Sequence, residues 1–309
     1  MEFSIVIPTF NEEKNITNLL SDVEDACRSL PRFRLRDVVV LDGGSLDATV
    51  ACVRQWSHTH PEFPVKIHEN SRRLGKALEL NTILSWDVPI VVGLDADIRL
   101  TPNSLLCLLD SLQSPDIAAV WGACLPPDGQ PMMSRGSAFQ MRLIYEIQRR
   151  LPKNRPIAQG FFWAIRLKAF QGFRWRGDLI AEDIQVAHWV EEHHLQCRQV
   201  PDAVVLRIPA QGFRDFYRQT YRYYVSINRQ RLQNELERLS DQTKRPFEKY
   251  GMHFAEASVK VRALAATSLA DPLGAFMFVA LHIGARVKHV IHPEDFGPAW
   301  PTATSTKSQ

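Results

Sequence analysis

Asp95 and Asp97 stand two residues apart at the end of the apolar run Ile90 to Leu94. Two carboxylates so placed can face one hard divalent cation, Mg2+ or Mn2+, together with the phosphate oxygens that such a cation binds. A single Asp-x-Asp also arises in turns and helix caps, so the pair gains meaning only from its neighbours. Three upstream loops supply them. Pro8-Thr-Phe10-Asn-Glu12-Glu13 follows one apolar run, and Asp42-Gly-Gly-Ser-Leu-Asp47 follows another. Glycines there let backbone approach a ligand, and Asp42 can accept hydrogen bonds from a base or ribose edge. Arg72, Arg73, Gly75 and Lys76 then gather three cations around a helix start, suited to a diphosphate that also feels the helix dipole. Each loop alone reads equally well as a turn that caps the next helix. Taken in order, the four favour a bound nucleoside diphosphate and its metal.

Further along, Glu182-Asp183 reads as an acidic pair at a helix start, a place that favours negative charge whatever else it does. Arg214, Arg218 and Arg222 recur every four residues and form one basic stripe, interleaved with Phe213, Phe216, Tyr217, Tyr221, Tyr223 and Tyr224. Such a helix either lays an aromatic floor under a sugar or packs its aromatics inward and leaves the arginines to solvent. The cluster His188, Glu191, Glu192, His193 and His194 lacks the His-Glu-x-x-His order of a zinc site. Neither a Gly-x-Ser-x-Gly elbow nor a Gly-x-Gly-x-x-Gly turn after the first strand occurs, so hydrolase and dinucleotide readings lose their main support.

These residues need a scaffold. Phe3 to Pro8, Asp37 to Leu41, Val65 to His68 and Ile90 to Leu94 are short apolar runs of the kind that fill buried parallel strands. Between them Asn15 to Leu30, Ala48 to Trp56 and Gly75 to Trp86 repeat apolar residues at helical spacing, so the first 100 residues read βαβαβαβ. The expectation is an α/β protein with a doubly wound sheet, whose ligand crevice lies beyond the carboxyl ends of the strands, where all four loops fall. Strands over Ile117 to Cys124, Phe161 to Ile165 and Gln199 to Leu206, with helices around Met141 and Val186, predict a mixed continuation of that sheet. A polar helix follows from Phe213 to about Lys244. The expected organisation is a catalytic domain over 1–210 (donor half about 1–100, acceptor half about 101–210), a helical extension over 211–250, apolar helices over 251–295 and a disordered tail over 296–309.

With 45% apolar and 23% charged residues, the 309-residue chain is not disordered as a whole and can bury a sizeable core. A net charge of +3 argues against a nucleic-acid partner. Five cysteines without zinc-ribbon spacing, and an N-terminus that reads as a strand rather than an export signal, predict reduced thiols and a cytoplasmic location. Near the C-terminus the stretch Ala263 to Ala285 carries one charge, Asp271, followed at once by Pro272. That break leaves two apolar pieces too short to span a bilayer, flanked by Lys260 and Arg262 before and by Arg286 and Lys288 after. They suit helices lying in the interface of an anionic leaflet, which would place the protein peripherally on the inner face of the plasma membrane; the other reading is a helix closing the core.

Val6-Ile-Pro-Thr-Phe-Asn-Glu-Glu13, Asp42-Gly-Gly-Ser-Leu-Asp47, Leu74-Gly-Lys-Ala77 with Asn81, and Leu94-Asp-Ala-Asp97 resemble the nucleotide-sugar-binding motifs of family 2 glycosyltransferases. Gln159-Gly-Phe-Phe-Trp-Ala-Ile-Arg166 is similar to the segment lining the acceptor side, and Glu182-Asp183 to the general-base motif. Gln219-Thr-Tyr-Arg222-Tyr223 resembles in part the Gln-x-x-Arg-Trp signature of polysaccharide synthases, with Tyr for Trp. The resemblance implies the GT-A fold, with Pro8, Phe10, Glu12 and Asp42 holding the nucleoside and Arg73 and Lys76 near the diphosphate. It further implies Asp97 as main metal ligand with Asp95 beside it, Asp183 as the base, and Gln219, Arg222 and Tyr223 on the acceptor or diphosphate side. Gly43 departs from the second Asp of many members, which weakens a preference for uridine. A metal-dependent inverting transfer of one sugar is therefore expected, from a UDP-sugar or else a GDP-sugar to a hydroxyl of a lipid-linked or cell-surface glycan. The rivals are a polyprenyl-phosphate sugar synthase, a retaining enzyme of the same fold acting on a small phosphorylated acid, and a nucleotide-sugar-binding protein without catalysis.

Overall fold

The computed structural model describes residues 1–70, 73–154, 156–177, 182–221 and 257–291. Arg72, Arg222, Tyr223 and the expected tail lie outside them. The first half alternates as predicted: β1 (Glu2–Thr9), α1 (Ile16–Arg28), β2 (Arg34–Asp42), α2 (Thr49–Thr59), β3 (Val65–Glu69), α3 (Lys76–Leu80) and β4 (Ile90–Leu94). There follow β5 (Ile98–Leu100), α4 (Ser104–Asp110), β6 (Ile117–Leu125), α5 (Arg135–Arg150), β7 (Phe162–Arg166), α6 (Glu182–Glu192) and β8 (Gln196–Arg207). A helix α7 is described over 213–221, then α8 (Ala257–Ala270) and α9 (Pro272–Ile291) close the described chain.

All eight strands join one sheet in the order β3-β2-β1-β4-β7-β6-β8-β5. β1 pairs in parallel with both β2 and β4, so the strand order reverses beside β1, the place where such sheets open a crevice. β7 runs antiparallel to β4 and β6, and β8 runs parallel to β6 and antiparallel to β5. The carboxyl ends of β1, β2, β4 and β8 and the amino ends of β7 and β5 therefore share one edge. Successive side chains on a strand face opposite sides, and helices cover both. Phe3, Ile5 and Ile7 meet Leu19, Leu20 and Val23 of α1 on one face, while Val6, Val91 and Trp121 meet Ile83, Val186 and Val190 on the other.

Several boundaries differ from the reading of the sequence. The helix predicted over Gly75 to Trp86 stops at Leu80 and tightens into a 3-10 turn, Asn81–Ser85. There the Asn81 amide donates to the Trp175 carbonyl (2.9 Å) and accepts from the Trp175 N–H (2.9 Å). β8 starts three residues early because Gln196 to Arg198 alternate exposed and buried along a half-covered strand. β5 was missed because three residues carry no readable period. Pairing with β8 makes it a strand, Ile98 opposite Arg207.

The C-terminal helices divide where Asp271-Pro272 predicts. Asp271 Oδ1 accepts the Gly274 N–H (2.9 Å) as the N-cap of α9, and Pro272 takes the first helical position, where no N–H is needed. The nearly buried Asp271 also pairs with Arg135 of α5 at 2.8 Å. Phe139, Leu143 and Ile147 of α5 then pack on Val259, Ala263 and Phe278.

Candidate functional site

The loops after β1 and β2 are sewn into one surface. Asn11, held at φ 56°, accepts the Leu46 N–H on Oδ1 (2.8 Å) and donates its own N–H to Ser45 Oγ (2.9 Å). Glu13 accepts the Ala48 N–H (2.9 Å). Glu12 is buried, its carboxylate accepting from Asn15 Nδ2 (2.9 Å) and its carbonyl receiving the N–H groups of Asn15 and of Ile16, the first residue of α1. Asp42 is buried too and takes the N–H groups of Gly44 and Ser45 and the Ser45 hydroxyl, which rigidifies the turn. Pro8 lies half-buried beside Leu41 on β2.

Arg73 lays its guanidinium over the Phe10 ring, 4.1 Å from its centroid, so two residues predicted separately for base and diphosphate form one cation–π pair. Beneath them lies Glu79, a buried carboxylate whose position the sequence did not reveal. Burial holds its carboxyl above the ordinary range, opposed by the N–H groups of Gly75 and Leu74. Its Oε1 fills the space above Gly43, where an added Cβ would come within 2.8 Å. Gly43 is thus coupled to Glu79, and the room of a side chain at 43 belongs to a residue on α3.

At the end of β4 the two aspartates have different partners. Lys76 Nζ lies 2.6 Å from Asp95 Oδ1, 2.6 Å from Glu182 Oε1 and 2.8 Å from the Gly160 carbonyl. A Cβ on Gly160 would fall 2.5 Å from Glu182 Oε1, so a side chain there would push the Glu182 carboxylate out of its present place in the bridge. Burial works against the Lys76 charge, but Asp95 and Glu182 hold it protonated. Asp97 instead receives Nε (3.0 Å) and Nη2 (2.7 Å) of Arg207, both on Oδ2. The sequence reading ended the last strand at Leu206 and so passed over Arg207, although the rule of inspecting strand ends would have reached it.

Asp183 sits beside Glu182 in the first turn of α6, where the Ile184 N–H bonds its Oδ1 (2.9 Å). Burial, and next the Glu182 charge, push its carboxyl from 3.8 up to about 7, with Lys76 opposing. A carboxylate poised near neutrality is matched to taking a proton in the physiological range.

Among the described residues no three His, Cys, Asp or Glu side chains form a metal cage. The donor set still fits a hard cation completed by phosphate oxygens: Asp97 Oδ1 carries no hydrogen bond among the described residues, and Asp95 lies beside it. Gln219 is half-buried on α7, with no hydrogen bond or ion pair to these side chains among the described residues. Of the aromatics interleaved with the arginines, Tyr223 and Tyr224 lie outside the described residues. Phe216 and Tyr221 are buried, Phe216 meets His282 of α9, and the Tyr217 hydroxyl donates to the Gly284 carbonyl, while Arg214 and Arg218 are exposed.

Among curated proteins the chain is similar to a dolichol-phosphate mannosyltransferase of Pyrococcus furiosus, 25% identical over 56% of this chain and 48% of that protein. An uncharacterised protein of Methanocaldococcus jannaschii is 30% identical over 38% of the chain and 49% of its own length. The matches span about half the length of these relatives. Among solved structures the mannosyltransferase PcManGT of Pyrobaculum calidifontis, in complex with GDP-Man and Mn2+, superposes with a TM-score of 0.64 at 22% identity, covering 94% of this chain and 88% of that one. The GT-A fold follows from that likeness. The profile described as Glycosyl transferase family 2 matches residues 4–173, and Glycosyl transferase family group 2 matches residues 90–287. More than half of the sequence, including both loops, the two aspartates and the Gln159 to Arg166 segment, lies within the first match, and the chain belongs to glycosyltransferase family 2.

Proposed function

We propose that the protein is a metal-dependent hexosyltransferase that moves a sugar from a nucleoside-diphosphate donor to an acceptor hydroxyl with inversion at the anomeric carbon. The observation that carries this reading is Asp183, pushed to about 7 at the start of α6 beside a bridge that leads to Asp95. A sugar hydroxyl is a poor nucleophile at neutral pH, and a base with this acidity removes its proton as the new bond forms. The nucleoside lies along the joined loops of Asn11 and Asp42, against Phe10 and Arg73. Asp97 and Asp95 would hold Mg2+ or Mn2+, which when bound would neutralise charge on the leaving diphosphate. Lys76 adds a fixed cation on the same side, and its bond to Glu182 keeps the donor motif and the base in register.

The acceptor reading is a hydroxyl of a lipid-linked or cell-surface glycan. The likeness to a dolichol-phosphate mannosyltransferase supports a second acceptor, a polyprenyl phosphate, which needs no base. A transfer screen of UDP-, GDP- and dTDP-sugars, mannosyl donors first, with Mn2+ against membrane lipid extracts tests both. Product NMR showing an inverted anomeric centre on a hydroxyl supports the leading reading. A retained centre, or transfer that survives metal chelation, refutes it.

No helix among the described residues is long and apolar enough to cross a membrane. α9 nevertheless exposes Leu273, Phe276, Ile283 and Val287 along one face, and α8 exposes Val261, Leu264 and Leu269. With Arg262 and Arg286 exposed nearby, this face suits the interface of an anionic leaflet, where a lipid-linked acceptor would be met.

A further inference from the structure

Arg207 stands at the site's edge, outside the loops and motifs already described. Register sets it there: β8 pairs with β5 so that Arg207 lies opposite Ile98, the residue after Asp97. Both of its bonds end on Asp97 Oδ2, and the guanidinium is about one-third exposed while Asp97 is only 12% exposed. Asp95 shares Lys76 with Glu182. Three carboxylates thus face two fixed cations, and Arg207 removes half of the net negative charge that would otherwise draw in a free divalent ion. The motif's carboxylate oxygens would still be needed once a diphosphate arrived. A guanidinium within a few ångströms of the ion would repel it in a partly buried setting where charges are weakly screened.

We propose that Arg207 is a resident counter-cation of the Asp95–Asp97 motif, keeping the motif closed to a divalent ion until a nucleoside diphosphate brings the charge that balances both. The arginine then has a second partner, because its planar fork suits phosphate oxygens as well as carboxylate. The metal is accordingly held as a ternary complex of protein, ion and diphosphate. Arg207 acts through Asp97 and is a positioning residue. This inference rests on the proposed use of a metal with a nucleotide donor.

Mn2+ binding, followed by calorimetry and by the electron paramagnetic resonance of free Mn2+, tests it with no turnover involved. Wild-type protein should bind Mn2+ weakly alone and at least about tenfold more tightly with UDP or GDP present. Arg207→Gln should bind Mn2+ alone on the order of tenfold more tightly than wild type, since the repelling charge is gone. Arg207→Lys keeps that charge and should stay weak like wild type, a rescue that a merely structural role would not produce. Wild-type protein that binds Mn2+ equally well with and without nucleotide overturns the inference, whatever the variants' folding. So does an Arg207→Gln protein, folded by circular dichroism, whose affinity is unchanged or reduced, or an Arg207→Lys protein that behaves like the Gln variant. If no form binds Mn2+ even with UDP and GDP, the metal reading itself falls, an outcome distinct from the others.

Discussion

At the carboxyl edge of the sheet, charge is matched at short range: Lys76 lies between Asp95 and Glu182, Arg207 on Asp97, Arg73 on Phe10. On α8 and α9, apolar side chains face outward while the one acidic residue, Asp271, is nearly buried on Arg135. The sheet edge rests on strands buried on both faces, so its polar groups are fixed by a rigid frame and stay in tension with burial. The helix pair packs on α5 and, through α9, on α7, and leaves an apolar face exposed. Matched charges on a rigid frame fit the proposed chemistry, and an exposed apolar face fits the proposed attachment.

Asp183→Asn should separate the two regions most sharply. Losing the proposed base should lower kcat on the order of 10²- to 10⁴-fold while donor affinity holds. Wild-type turnover should rise with pH through about 7, because the carboxylate is the active form, and the variant's residual rate should lack that limb. Stability should move the other way. The folded protein keeps the Asp183 proton between 3.8 and about 7, so above 7 the buried charge counts against folding, and below about 4 the contribution vanishes. The variant should therefore melt higher than wild type at pH 8 and match it near pH 3.5. Near-normal turnover, or equal melting at pH 8, would break the contrast.

Asp271→Ala removes the α9 cap and the Arg135 partner, and should cost about 1–2 kcal/mol. Thermal melting should show it, with nucleotide binding unchanged. If instead only the amide protons of α9 exchange faster while the melting point holds, the helix pair opens as a unit of its own.

The smallest effect belongs to the exposed stripe. Phe276→Ser with Ile283→Ser should weaken co-sedimentation with vesicles containing phosphatidylserine by about tenfold, given ~25 cal/mol per Å² of apolar area withdrawn from water. Transfer to a soluble acceptor should not change. Equal sedimentation would leave the face without a membrane role.

Much of this was legible in the residues. β1, β2 and β4 show as apolar runs because a strand covered on both faces needs nothing but apolar side chains, whereas β3, expected to be buried, is the edge strand and exposes Lys66 and His68; the cap at Asp271-Pro272 acts within four residues of chain. Pro8, Phe10, Glu12, Asp42, Arg73, Lys76, Asp95 and Asp97 follow the strands whose ends must line a crevice. Not legible were the partners. Asp97 meets Arg207 across 110 residues and Lys76 meets the Gly160 carbonyl across 84, and both depend on β7 and β8 returning to the same edge. The aromatics of α7 illustrate the same limit: their spacing is compatible with a sugar or with α9, and among the described residues Phe216 and Tyr217 meet α9. Local pattern determined the strands, caps and loops, because propensity and periodicity act between near neighbours. Strand order together with helix packing decided which charge each carboxylate meets, because an ion pair depends on ångström-scale distance in space and carries no signature in the spacing of residues along the chain.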